Sequence, residues 1–176
     1  MEENLVTSRI MQVLKPLPYL KMEHEHVHSS ADAAKTRGTK LEEAAKALVL
    51  QKKFKGDQNE IFMCVISGHR SLDMKKIKKL VGCKNIALAD PADVLLVTGC
   101  VIGTVSPMPQ LFGLQGYVDR GVLENECVVF SCASHHISIR MKSTDWHSVS
   151  GAQIEDIAKD EEVAPSPADE SRDEAI

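Results

Sequence analysis

Three short stretches carry groups suited to chemistry. The first is Gly99-Cys100-Val101-Ile102-Gly103-Thr104-Val105-Ser106-Pro107. Two glycines four residues apart, followed by Ser106-Pro107, let the main chain come very close to a ligand. Exposed N–H and C=O groups on such a loop can hold a polar substrate and orient a water. The same pattern also suits a structural loop between a helix and a strand. The second is Lys46, set inside the apolar run Ala44 to Leu50. A lysine there needs a partner or a route to solvent. Its ammonium either holds an anion such as a nucleotide phosphate or snorkels from the strand. The third is His24-Glu25-His26-Val27-His28. On a strand these three imidazoles would share a face and could ligate a metal. However, Ser29 starts a helix at once, which turns His28 away, and spacing marks no fourth ligand. Polar or pocket histidines are the better reading. His135-His136 either line a cleft with the glycine loop or form a surface pair.

Other chemistries lack their signatures. There is no GxSxG, no phosphate-binding P-loop and no dinucleotide fingerprint. No Ser-His-Asp arrangement is evident. The five cysteines, Cys64, Cys83, Cys100, Cys127 and Cys132, are odd in number and form no CxxC pair. Reduced, mostly buried thiols are expected, rather than a disulfide framework or zinc ribbon.

The elements that must position these groups are readable in outline. Leu5, Ile10, Val13 and Leu14 have roughly helical spacing, and Pro16 ends that helix. Tyr19 to Val27 reads as extended. Ser29 and Ser30 are N-cap candidates, with Asp32 placed as in a capping box, for a helix to Arg37 closed by Gly38. Ala45 to Gln51 reads as a buried strand, although a helix is hard to exclude. Lys55 to Asn59 is turn-rich and leads to a strand over Ile61 to Ile66. Ser71 begins an amphipathic helix that places Met74, Ile77 and Val81 on one face, and Gly82 closes it. Its lysines, Lys75, Lys76, Lys78 and Lys79, form a solvated face or meet an RNA backbone. Asp90-Pro91 starts another helix, which stops at Gly99. Val128 to Ser131 and Ile137 to Met141 read as strands. One mixed α/β domain with hairpins is the expected class.

The 176 residues suit one domain, and 43% hydrophobic content supports a sizeable core. With only 4% aromatics, that core must be aliphatic. No apolar stretch of membrane-spanning length occurs, and the first residues lack a secretory pattern. A soluble, intracellular, cytoplasmic protein is expected. The net charge of −4 is unevenly spread: residues 151–176 hold nine acids and two bases, leaving +3 for residues 1–150. The sequence therefore predicts a folded domain over 1–150 and an acidic, disordered tail over 151–176. A mildly basic body permits an RNA partner.

Several of these features occur in a family's order: His24, Ser29-Ser30, Ala33-Ala34, Arg37-Gly38, Ala45-Lys46-Ala47-Leu48, Gly99…Gly103…Ser106-Pro107, and Asp119…Leu123…Phe130…Ile137-Ser138-Ile139. Over roughly residues 20–145 the chain resembles the YbaK/prolyl-tRNA-synthetase-associated editing domain, in its free-standing, trans-editing form. The resemblance implies a mixed sheet, partly closed like a barrel, with flanking helices. It implies hydrolysis of the ester joining an amino acid to the terminal ribose of tRNA. It assigns catalysis to Lys46, Gly99 and Gly103, and substrate contact to His24, Ser29, Ser106, Pro107 and His136, with no metal or other cofactor. The acceptor end of an aminoacyl-tRNA is the implied partner, with a synthetase as a second; neither membrane nor DNA is expected. Two positions depart from the family pattern: His26 replaces a proline, and Ser134-His135-His136 replaces the usual glycine before the last strand. Two rival readings remain at this stage. One is an inactive module of the same fold that binds tRNA or a synthetase; the other is a metal hydrolase using His24, His26 and His28.

Overall fold

The computed structural model describes residues 5–26, 30–54 and 59–160. Its centre is β3 (Glu60–Ser67), buried continuously from Phe62 to Ile66. A strand covered on both faces must be apolar at successive positions, and Phe-Met-Cys-Val-Ile meets that demand. Along it β2 (Ala45–Lys52) runs antiparallel and β5 (Gln115–Asp119) parallel. The edges are β4 (Ile86–Leu88) and β8 (Gln153–Glu155), giving the order β4-β2-β3-β5-β8. Met63 and Val65 face one core with Ala45, Val49 and Val118; Phe62, Cys64 and Ile66 face another with Leu50. The strand reading of Ala45 to Gln51 is correct, and the helical alternative is not.

A second sheet, β1 (Tyr19–Glu23), β7 (Ile137–Lys142) and β6 (Cys127–Ser131), is antiparallel throughout. It meets the first where Ala44 bridges Val129, whose N–H donates to the Glu43 carbonyl at 2.8 Å. The strands form two sheets, with no closed barrel among the described residues. The first core lies between them and takes in α1 (Leu5–Leu14), α4 (Pro91–Thr98) and α6 (Ser143–Ser150), through Val6, Ile10, Leu14, Val94 and Trp146. On the far side of the five-stranded sheet, α3 (Met74–Leu80) inserts Ile77. The Asp73 carboxylate caps α3, accepting from Lys75 N at 2.8 Å and Lys76 N at 3.2 Å, so this helix begins later than Ser71. Two further helices, α2 (Ser30–Arg37) and α5 (Arg120–Leu123), complete the set. No described helix is long and apolar enough to cross a membrane.

The sequence-based boundary at residue 150 is too early. Residues 151–160 are packed rather than part of an acidic tail. β8 pairs in parallel with β5, and Ile157 and Ala158 are fully buried. Ile157 O accepts from Asp73 N at 2.8 Å, and Lys159 N donates to Ser71 O at 2.9 Å. Composition hides this because acids and buried residues are mixed here: Asp156 and Asp160 are exposed while Ile157 and Ala158 are fully buried. Residues 161–176, which hold most of the acids, lie outside the described residues. Two truncations separate the segments. Removing 161–176 is expected to leave thermal unfolding unchanged. Removing 151–176 is expected to lower stability by about 3 kcal/mol, roughly 6–12 °C in melting temperature, because it strips buried apolar side chains from the second core.

Candidate functional site

The glycine loop leaves α4 through a left-handed cap. Gly99 has φ +68, its N–H donates to Leu95 O at 2.9 Å, and a Cβ there would meet Val6 Cγ2 at 3.0 Å. The Thr98 hydroxyl donates to Val94 O at 2.7 Å and accepts from Cys100 N at 3.1 Å, tying the helix end to the loop. A tight turn follows, with the Thr104 N–H and hydroxyl both donating to Val101 O. This turn pushes Val101, Ile102 and Gly103 out to solvent. Gly103 needs φ +89, a conformation that glycine adopts without strain.

The second half of the loop is buried and fixed. The Ser106 hydroxyl donates to Ser131 O at 2.5 Å, and Pro107 O accepts from Trp146 Nε1 at 3.2 Å. Ser106 and Pro107, to which the resemblance assigns substrate contact, lie inside, with these polar groups bonded to β6 and α6. They anchor the loop and leave Val101 to Gly103 as its presented edge.

Histidines stand beside that edge. β1 and β7 pair so that Glu23 faces Ile137, which brings the segments 24–26 and 134–136 together. His24 N donates to His136 O at 3.0 Å, and the His24 Nε2 and Ser138 hydroxyl are 2.7 Å apart. The His26 and His135 rings stack with centroids 4.4 Å apart, while His136 meets His26 edge-on at 5.5 Å. A Cβ on Gly103 would lie 3.5 Å from His135 Cε1, so the loop and the histidines are one site. Of the expected residues, the histidine cluster and loop edge gather His24, His136 and Gly103, while Gly99 sits at the start of the loop, against Val6. The cluster also contains His26 and His135, one read from the sequence as a metal candidate and the other as half of a pair. The rings stack on one another, and among the described residues no three His, Cys, Asp or Glu groups converge to hold a metal. His28 and Ser29 lie outside the described residues.

Lys46 is placed differently. β2 turns Ala45 and Val49 toward the core that holds Cys100 and Met108 of the loop region. Lys46 follows the alternate face with Leu48 and Leu50. It is half-buried, and burial lowers its pKa. Its ammonium donates to the Arg70 carbonyl at 3.0 Å. An ammonium has three donors, so this neutral partner leaves capacity for an anion. Arg70, in the turn after β3, had no sequence signal. Asp119, which opens the closing pattern shared with the family, carried no sign of its role: it uses both carboxylate oxygens inside the fold. Among the described residues the cysteines form no disulfide: Cys64, Cys100 and Cys132 are buried, and burial raises the Cys64 thiol to about 12. Such thiols are unreactive.

Comparison with known proteins places the chain in a family. The profile of the aminoacyl-tRNA editing domain matches residues 24–149, a span that starts at the first site histidine and includes the glycine loop. A protein of Escherichia coli (strain K12), the multifunctional Ser/Thr-tRNA deacylase ProXp-y, is 26% identical over 132 residues, covering 74% of this chain and 78% of its own. The Bacillus subtilis (strain 168) protein YwhH is 29% identical over 129 residues, covering 73% and 79%. Among solved structures, one provisionally described as a trans-editing enzyme for prolyl tRNA synthetase superposes with a TM-score of 0.73 at 23% identity, over 90% of this chain and all of that one. The protein APE2540 superposes with a TM-score of 0.74 at 21% identity, over 86% of this chain and 99% of its own. The two structures show the shared fold; the profile, covering most of the chain, shows that it belongs to the aminoacyl-tRNA editing domain family.

Proposed function

We propose that the protein is a trans-editing hydrolase that cleaves the ester of mischarged aminoacyl-tRNA. The observation that carries this reading is the exposed loop edge Val101 to Gly103 set against the histidine cluster, within a chain of the editing family. A synthetase cannot strongly reject an amino acid differing by one methylene, worth only about 1–3 kcal/mol, so errors must be removed afterwards. The aminoacyl ester is already activated, and no protein nucleophile is required. Water adds to the ester carbonyl, the bond to the ribose oxygen breaks, and that oxygen takes up a proton. Free amino acid and tRNA are released. The protein's task is to position the ester and the water and to stabilise the oxyanion. One well-placed donor contributes roughly 100–1000-fold.

In this reading the loop edge from Gly99 to Gly103 holds the ester and water, and His24 and His136 border the amino acid. Lys46 holds a phosphate of the terminal nucleotides from the other side of β2, using the donors that Arg70 O leaves over. A synthetase that delivers the mischarged tRNA is the second partner. The E. coli relative is named a Ser/Thr-tRNA deacylase, which makes seryl- and threonyl-tRNA the first substrates to test.

A panel of mischarged tRNAs, assayed with and without a chelator, tests the activity. Deacylation is expected in both conditions. No turnover on any member would favour an inactive binding module, and loss on chelation with recovery on added zinc would favour a metal hydrolase. Gly103→Ala should lower turnover about tenfold or more, since a side chain at φ +89 is strained and moves the loop edge. Unchanged turnover would remove the loop from the mechanism. Lys46→Ala should raise KM and reduce the salt dependence of tRNA binding by a slope of about one. Because burial lowers the pKa of Lys46, its share of binding should fade at a lower pH than that of an ordinary lysine. A variant with wild-type KM and salt slope would make Lys46 a structural prop for the Arg70 turn.

A further inference from the structure

Residues 153–160 form a strap across the edge of the five-stranded sheet, and its bonds converge on the turn that holds Lys46. Asp119, only 4% exposed, anchors it: Oδ2 accepts from Ile157 N at 3.0 Å and Ala158 N at 2.8 Å. Its Oδ1 accepts from Gly121 N at 3.0 Å and caps α5. Beyond Ala158 the strap continues onto residues 70–73. Lys159 N donates to Ser71 O, and Lys159 O accepts from the Arg70 guanidinium. Lys76 clamps the outer side through Asp156 and Asp160, each at 2.9 Å, and through Ala158 O at 3.0 Å. Arg70 is thus held by the strap through its side chain and by Ser67 O through its N–H, and it offers its carbonyl to Lys46 Nζ.

We propose that Asp119 is a positioning residue for Lys46, acting through the strap and the Arg70 carbonyl. The inference rests on the reading of Lys46 as a tRNA-phosphate contact. A lysine side chain has four rotatable bonds and gains from being pre-set before it meets an anion. Here the restraint is one hydrogen bond to the carbonyl of Arg70, whose guanidinium is tied to Lys159 O and whose neighbour Ser71 accepts from Lys159 N. A buried carboxylate accepting three backbone N–H groups holds them there, because charge-assisted bonds of this kind are about twice as strong as neutral ones.

The sign of the effect separates positioning from plain electrostatics. Replacing Asp119 with Asn removes a negative charge, which by itself strengthens binding to an RNA polyanion. Loosened positioning weakens it. The test measures binding of deacylated tRNA over a salt series, and KM and kcat on mischarged tRNA, for Asp119→Asn, Lys46→Ala and the double variant. Thermal unfolding verifies the fold. Each single variant is expected to raise KM several-fold more than it lowers kcat and to reduce the salt slope by about one. The double variant should lose no more slope than Lys46→Ala alone. If Asp119→Asn is unfolded at the assay temperature, Asp119→Ser, which can still cap Gly121 N, carries the comparison. Equal or tighter binding by the Asp119 variant, alongside a reduced slope in Lys46→Ala, would overturn the positioning role alone. An unchanged slope in Lys46→Ala would overturn the phosphate contact and this inference with it, while leaving deacylation by the loop to be judged on turnover.

Discussion

The rest of the structure depends on the burial of β3 on both faces. Residues 62 to 66 are each at most 2% exposed, so both sides of the strand must be covered. One side is covered by α1, α4, α6 and the three-stranded sheet; the other by α3 and the closing strap. Each cover supplies part of the proposed site. The first brings the glycine loop down onto β6 and sets the histidine-bearing ends of β1 and β7 beside it. The second carries the Arg70 turn that receives Lys46. A slip of one residue in β3 would exchange Met63 and Val65 with Phe62 and Cys64 and misfit both covers together.

The site combines a rigid base with an exposed rim. Ser106, Pro107 and Trp146 form the base, where the indole N–H donates to Pro107 O and the Ser106 hydroxyl donates to Ser131 O. The rim is Val101 to Gly103 and the stacked imidazoles. Backbone groups on such a rim are aimed by the fold itself and need no reorganisation when charge develops, which suits a reaction whose substrate is already activated.

Much of this was legible in the sequence, for identifiable reasons. Pro16, the Asp90-Pro91 pair and Gly99 are local stop and start signals, and the helices they bound are where they were expected. Ile61 to Ile66 reads as a strand because a short apolar run follows the turn-rich Lys55 to Asn59. The glycine loop was recognisable, but which of its residues face outward was not. Ser106 looks like a ligand-binding hydroxyl until Ser131 O is seen to accept from it. That Lys46, inside an apolar run, needs a partner was readable, whereas Arg70 O as that partner depends on a turn 24 residues away. β5 was missed because Gly116 interrupts it; a Cβ there would collide with Pro109 at 2.1 Å, so packing against the 3-10 turn Pro109–Phe112 demands glycine. β8 was missed because three residues among acids carry no periodicity, and only its pairing with β5 makes it a strand.

The pairing of β1 with β7 has a consequence for how the chain reaches this state. Glu23 and its partner Ile137 are separated by more than a hundred residues, whereas β2 and β3 can close as a neighbouring hairpin. Closing a long loop costs entropy before any contact repays it, so the three-stranded sheet should form late. On a ribosome adding about 5–20 residues per second, β1 waits on the order of ten seconds for its partner strand to be made. For that interval an unpaired edge with Tyr19 and Leu20 is open to other chains. The histidine cluster, which exists only once β1 and β7 have joined, is among the last features to appear, so a newly made molecule acquires its rim after its core.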